Sequence, residues 1–237
     1  MCSLNKILLV TSLLASFCTV SAVAQADTYH GCVLEWHTQC PDSNFQGANF
    51  SGYGLRYANF SRSNLSYSKL IGTDLRNAGL YGANLSHANL REAELDEVAM
   101  LHADASNASL SHAEGHKANL YGSNFTHANL YQIMLGAALL NYDNFTGANL
   151  VGARLTIAHM EHSKLTSAHL HGAHLMHTDL RYVKASHADF KSADLRNADL
   201  RSSDLQFADF RGADLTGADL HGAHMHGAHM PDGSIHP

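Results

Sequence analysis

Every fifth residue from Phe45 onward is large and apolar: Phe45, Phe50, Leu55, Phe60, Leu65, Leu70 and so on to Met230, without one insertion. Of these thirty-eight positions only Ala105, Gly115 and Ala185 are not Leu, Phe or Met. Two residues earlier in each repeat stands a small residue, which is Ala, Ser, Thr or Val everywhere except at Tyr53, Ile133 and Asp143. A period of five matches neither a helix, at about 3.6 residues per turn, nor the simple alternation of a strand. Along a helix it would scatter apolar groups over the whole surface. A chain that turns a tight corner once per repeat sends one large and one small side chain inward each time. No single repeat has enough apolar surface to fold alone. The pattern therefore predicts a solenoid whose stacked coils share a core and pair their backbones.

The stretches "ANLSHANL", "ADLRNADL" and "GADLTGADL" share an A(D/N)LXX grammar. Over residues 43–230 the chain resembles the pentapeptide repeat family. That resemblance implies an all-β fold, a right-handed quadrilateral β-helix with four repeats, or twenty residues, per coil. Thirty-eight repeats then make about nine and a half coils, a rod roughly 45 Å long at the usual strand spacing. In this family the large and small residues fill the interior and the other three face solvent. Some members mimic DNA and bind DNA gyrase from the cytoplasm with strongly acidic faces. Some dimerise through a C-terminal helix, for which the closing "PDGSIHP" (231–237) has no material. A monomer or an end-to-end homodimer is expected.

Residues 1–26 read as a secretory signal peptide: Lys6, an apolar run from Ile7 to Val20, then "SAVAQA" with small residues placed for cleavage after Ala24 or Ala26. A retained membrane anchor is the alternative. Export makes the protein periplasmic or secreted, with no membrane contact after cleavage. Residues 27–42 would cap the open end of the rod, which is otherwise a bare sheet edge. Cys32 and Cys40 are the two cysteines left after cleavage, and an oxidising compartment reads them as a disulfide. Closing so short a loop stabilises by roughly 2–3 kcal/mol on the chain-entropy model. Loss of the leader removes Lys6 and no acid, taking the formal charge from −6 to −7. No basic patch marks a nucleic-acid partner, and the export signal, the cysteine pair and the modest charge point away from gyrase.

The outward positions must carry function, because no Gly-rich phosphate loop, CxxC or HExxH motif is present. The expectation is a non-enzymatic scaffold that binds an unidentified protein partner. At twenty residues per coil, Tyr81, Leu101 and Tyr121 form one column and Tyr142, His162 and Tyr182 the next, with His102, Leu139 and His159 on the same side. Such aromatic and apolar enrichment marks protein-binding surfaces. Within that face His159, Glu161, His162 and Asp179 are close enough to consider for a metal ion. Histidine is abundant, at 19 residues, and "HGAHMHGAHM" gathers His221, His224, His226 and His229 into ten positions. The alternative function is therefore a His-rich protein binding Zn, Cu or Ni; no other cofactor is expected. The register places Met225 and Met230 inward, and leaves only the imidazoles outside.

Overall fold

The structure, a computed structural model, describes residues 27–29 and 31–237; the leader assigned to residues 1–26 lies outside the described residues. An antiparallel pair, β1 (Asp27–Tyr29) and β2 (Cys32–Leu34), opens the described chain. Beyond it the backbone runs through a succession of tight turns, joined by parallel bridges between residues twenty apart, from Gln39↔Asn59 to Asp209↔His229. Each coil therefore takes twenty residues. Among the described residues no helix is long and apolar enough to cross a membrane.

One repeat, Ala58 to Arg62, shows why the sequence grammar is what it is. Ala58 N–H closes a turn on Leu55 O at 3.1 Å, Asn59 N–H reaches back one coil to Thr38 O at 2.7 Å, and Phe60 N–H reaches forward to Gly79 O at 2.8 Å. Arg62 N–H donates to Tyr81 O in the next coil at 2.7 Å. The fifth donor, Ser61 N–H, has no backbone partner and is taken by the side-chain Oδ1 of Asn59 at 3.0 Å. Buried backbone donors must find acceptors, and a short Asx side chain just before the large residue supplies the missing one. The same bond recurs from Asp74 to Arg76 N–H, from Asn124 to Thr126 N–H and from Asp209 to Arg211 N–H. That is the physical content of the Asn/Asp position.

The corners are left-handed. From His37 to Gly227 every fifth residue has φ between 54° and 73°. The residue before it is not left-handed, so each corner is a type II turn with its third residue in the αL region. Glycine fits there freely, whereas Tyr142, Ile157 and Phe207 hold φ of 63°, 54° and 58° at roughly 1–2 kcal/mol each.

Between corners, the large and small side chains are almost wholly buried from Phe45 to Phe210, including Ala105, Ile133, Asp143 and Ala185 among the exceptions to the pattern. Gly115 is tolerated because Leu95 and Leu135 close over it: a Cβ would stand 3.1 Å from Leu135 Cδ2. Phe rings stack along the axis where they recur in one column, as Phe125 on Phe145 at 5.1 Å and Phe190 on Phe210 at 5.0 Å.

The solenoid begins one repeat earlier than the apolar periodicity indicates. Thr38 and Cys40 are buried in the small and large positions, Gln39 bridges to Asn59, and His37 is already left-handed. Cys40 is bonded to Cys32, with Cα atoms 6.2 Å apart, so the disulfide ties the β1–β2 hairpin to the first coil. Tyr29 packs its ring against Phe45 and Phe50 at 5.8 and 5.7 Å. At the other end residues 231–237 fold back: Ile235 pairs antiparallel with His229, and His236 exchanges backbone bonds with Gly227 and Ala228. This tail covers one side of the last coil, and Leu215 and Leu220 beside it are only partly buried.

Asp143 is the one charged residue in the interior among those described. Its Oδ1 accepts Ser123 N–H at 2.7 Å, while its Oδ2 and the hydroxyl of Ser163, one coil on, have no partner. Burial drives this carboxyl well above its ordinary range, against the pull of the Ser123 and Gly122 N–H groups. The folded protein therefore holds a proton that the unfolded chain, titrating near 3.8, releases. Stability from this group is complete below that value and falls as pH rises toward the folded one. Urea unfolding of Asp143→Asn should show a variant more stable than wild type at pH 7, with the gap narrowing at pH 4. A gap that is the same at both pH values would contradict a buried, protonated carboxyl.

Candidate functional site

One corner of the rod carries a ladder of aromatic rings. Two neighbouring columns, the first and second residues of each turn, contribute to it. Tyr81 meets His102 edge to face at 5.9 Å, and His102 meets Tyr121 at 5.8 Å. Tyr121 leans on Tyr142 at 5.4 Å. Tyr142, His162 and Tyr182 then stack at 4.9 Å steps. The spacing comes from the coil: residues twenty apart lie about one strand spacing, roughly 4.8 Å, from each other, which is the distance at which rings stack. Gly122 makes the ladder continuous. Its φ is +71°, and a Cβ there would stand 2.7 Å from His102 Nδ1, so any side chain at this position would make the imidazole shift from its place between Tyr81 and Tyr121.

The sequence-predicted face is brought together in large part. Tyr81, Tyr142 and Tyr182 are 48%, 53% and 47% exposed, far more than a core aromatic. Leu101 sits half-buried in the first column, and Leu139 and His159 are exposed on the adjoining side. Two residues not singled out from the sequence belong to this neighbourhood. Lys164 and Lys184 bridge to each other one coil apart and form no ion pair among the described residues. A surface hollow of about 380 Å³ runs from His162 and Tyr182 past Lys184 to Asp204 and His224. The signal was present: lysine replaces Asn at two positions twenty residues apart.

Charge on the other flank is already satisfied. Arg181 donates to Asp179 at 2.7 Å and lies 3.5 Å from Glu161 and 3.6 Å from Asp199. Burial pushes the Asp179 carboxyl upward, but the Arg181 bonds outweigh it and hold it below its ordinary value. With that guanidinium between them, Glu161 and Asp179 are engaged rather than open to a metal shared with His159 and His162. Nearer the C-terminus, Arg196, Arg201 and Arg211 each clamp the Asp two residues before, depressing Asp194, Asp199 and Asp209 chiefly by that hydrogen bond.

The C-terminal histidines separate. His221 stands on the aromatic corner beyond Arg201, and His224 bridges to Asp204 on the next side. His226 sits edge to face on Phe207 at 5.7 Å at the following corner, and His229 pairs with both Asp209 and the tail residue Ile235. The nine residues from His221 to His229 pass two corners, at Gly222 and Gly227, so neighbours in sequence point in different directions. Among the described residues no group of three or more His, Cys, Asp or Glu is placed to hold a metal ion. Met225 is buried and Met230 partly so, as the register requires.

Known proteins share this frame. The family model for pentapeptide repeats matches residues 43–80, 58–96, 93–132, 144–181, 158–197 and 193–230. The stretch between matches, 133–143, contains Ile133, Leu139 and Asp143, three of the departures from the repeat pattern. Among solved structures the chain is similar to HetL, a pentapeptide repeat protein involved in heterocyst differentiation regulation in the cyanobacterium Nostoc sp. strain PCC 7120. Identity is 34% over 85% of this chain and 90% of that one, with a TM-score of 0.84. A weaker likeness, 20% identity and a TM-score of 0.40 over 81% of this chain and 91% of the other, is to QnrB1, a plasmid-mediated fluoroquinolone resistance protein. No curated protein matches the chain. The fold is thereby a right-handed β-helix.

Titration calorimetry with Zn²⁺ should give no site tighter than about millimolar, a binding free energy of some −4 kcal/mol. The curve should not change when His221, His224, His226 and His229 are all replaced by Asn. A micromolar site that disappears in that variant would contradict the separation of the four imidazoles.

Proposed function

This chain belongs to the pentapeptide repeat family, and we propose that it is an exported, non-enzymatic scaffold that binds a protein partner through its aromatic corner. The rod is read as four-sided, with about nine and a half coils, and as periplasmic or secreted. The observation that carries the reading is the unbroken ring ladder from Tyr81 to Tyr182. Isolated exposed apolar residues are ordinary, but six rings in register along one edge form a continuous strip. Tyrosine is suited to this role: a rigid ring brings contact area at little conformational cost and its hydroxyl stays hydrated or bonded to the partner. The likeness to HetL supports the same class of role, since HetL is a pentapeptide repeat protein involved in regulation. The absence of catalytic motifs in the sequence agrees with a binding rather than a chemical function.

The test is capture from envelope extract with the mature chain as bait. Wild type should retain a partner that Tyr121→Ala combined with Tyr142→Ala loses by at least about tenfold, as expected for two interface anchors. Both tyrosines are exposed, so thermal unfolding should be nearly unchanged. Equal retention by the double variant would overturn the assignment of the corner.

A further inference from the structure

The side of the rod that carries Asp74, Glu94, Glu114, Met134, Arg154 and His174 breaks the repeat grammar in its middle. These residues bridge in succession, each twenty positions from the last, where the pattern calls for Asn or Asp. Arg154 is exposed in this row, between Met134 and His174. Every other arginine among the described residues has a carboxylate within 4 Å. Among the described residues Arg154 has none, and no hydrogen bond holds its side chain. A guanidinium left without a counter-ion on an acidic protein is unusual, because five donors are then available to something else.

Three surface hollows converge on that residue. One of about 640 Å³ runs along Met134, Arg154 and His174, bordered by Gly152 and Gly172. A second of about 340 Å³ joins Arg154 to Met176 and Thr156. A third of about 370 Å³ joins it to Lys117, Gly136, Ala137 and Ile157. The concavity has a sequence cause: glycine occupies corner positions 152 and 172 and turn position 136, so the rims lose three side chains, although Gln132 and His116 lean over Gly152 and Gly136. Nothing lies within 4 Å of where a Cβ of Gly172 would stand. The lining is mixed: half-buried Met134 and Met176 lie among His174, Gln132 and Thr156 in the first two hollows, and Ile157, 52% exposed, and Ala137 make the third mainly apolar. Two acids border the hollows: Glu114 stands at the far end of the first, two coils from Arg154 and roughly 10 Å away at the usual strand spacing, and Asp194 is bonded to Arg196 at 2.7 Å.

We propose that this side is a second binding site, distinct from the aromatic corner, which takes an extended acidic segment of a protein partner. A Glu or Asp carboxylate would be gripped by the Arg154 fork, with Lys117 adding charge, and flanking aliphatic side chains would enter the hollows over Met134 and Ile157. A planar guanidinium and a carboxylate make paired, charge-assisted bonds of higher strength and direction than a lone ammonium gives. The combination of one unpaired cation with the half-buried Met134 on one side and the Ile157 hollow on the other selects a carboxylate set among aliphatic groups. The assignment does not depend on the aromatic corner and can fail or hold without it.

The experiment is fluorescence anisotropy of the mature chain with a labelled, end-blocked hexapeptide of alternating Leu and Glu, and a matched peptide with Gln for Glu. The Glu peptide should bind saturably, and the Gln peptide at least about tenfold more weakly. Arg154→Gln should weaken the Glu peptide by a similar factor. Arg62→Gln, which removes the same charge at a corner away from this side, should leave it unchanged. The proposal is overturned if no saturable binding occurs, if both peptides bind alike, or if Arg154→Gln has no larger effect than Arg62→Gln.

Discussion

The left-handed corner is the constraint on which the rest of the molecule depends. Every fifth residue from His37 to Gly227 holds φ near +60°, and the turn it closes directs the next small residue and then the large one inward. Four coil-to-coil or turn bonds satisfy four of the five backbone donors in a repeat, and the Asx side chain satisfies the fifth. Each non-glycine corner costs roughly 1–2 kcal/mol in backbone strain. Burying a Leu or Phe in the same repeat contributes about 1.5–3 kcal/mol, so the strain is tolerated as long as the core stays continuous. The corner also accounts for much of the histidine. His37, His87, His102, His112, His127, His162, His177 and His187 all sit at the left-handed position, and His is among the residues that accept that conformation more readily than most. An abundance that suggests metal chemistry is thus in good part a backbone preference.

The same geometry decides what the outside can do. Positions twenty apart are stacked, so a few aromatic choices in two columns become a ladder, and a few glycines in another become a groove. Residues adjacent in sequence, by contrast, turn away from each other around the coil. His221 to His229 therefore form a motif on paper but not a site in space. The built features are columns, such as Tyr142–His162–Tyr182 and Met134–Arg154–His174.

The period of five made the inward residues legible from the sequence, including the two methionines of the last coil. It also made the columns legible, and with them most of the aromatic corner. It did not reveal where the solenoid starts. Thr38 and Cys40 fill inward positions, but cysteine does not announce itself as a substitute for Leu, and the turn at His37 leaves no apolar mark. It did not show that Tyr121 in one column leans on Tyr142 in the other, or that Gly122 seats His102, because both depend on side-chain direction across a corner. Arg154 is not legible in the sequence for a related reason: its lack of a partner is a property of neighbours twenty and forty residues away.

At a corner whose side chain has few contacts, backbone strain should dominate what the residue contributes to stability. Ile157 is half-exposed with φ of 54°, and Gly72 has φ of +59° with nothing within 4 Å of where a Cβ would stand. Equilibrium urea unfolding of Ile157→Gly and Gly72→Ala tests this directly. The first should raise stability by about 1 kcal/mol and the second lower it by a similar amount. A fall for Ile157→Gly together with a rise for Gly72→Ala, the order expected if side-chain contact and unfolded-chain entropy dominate, would contradict it.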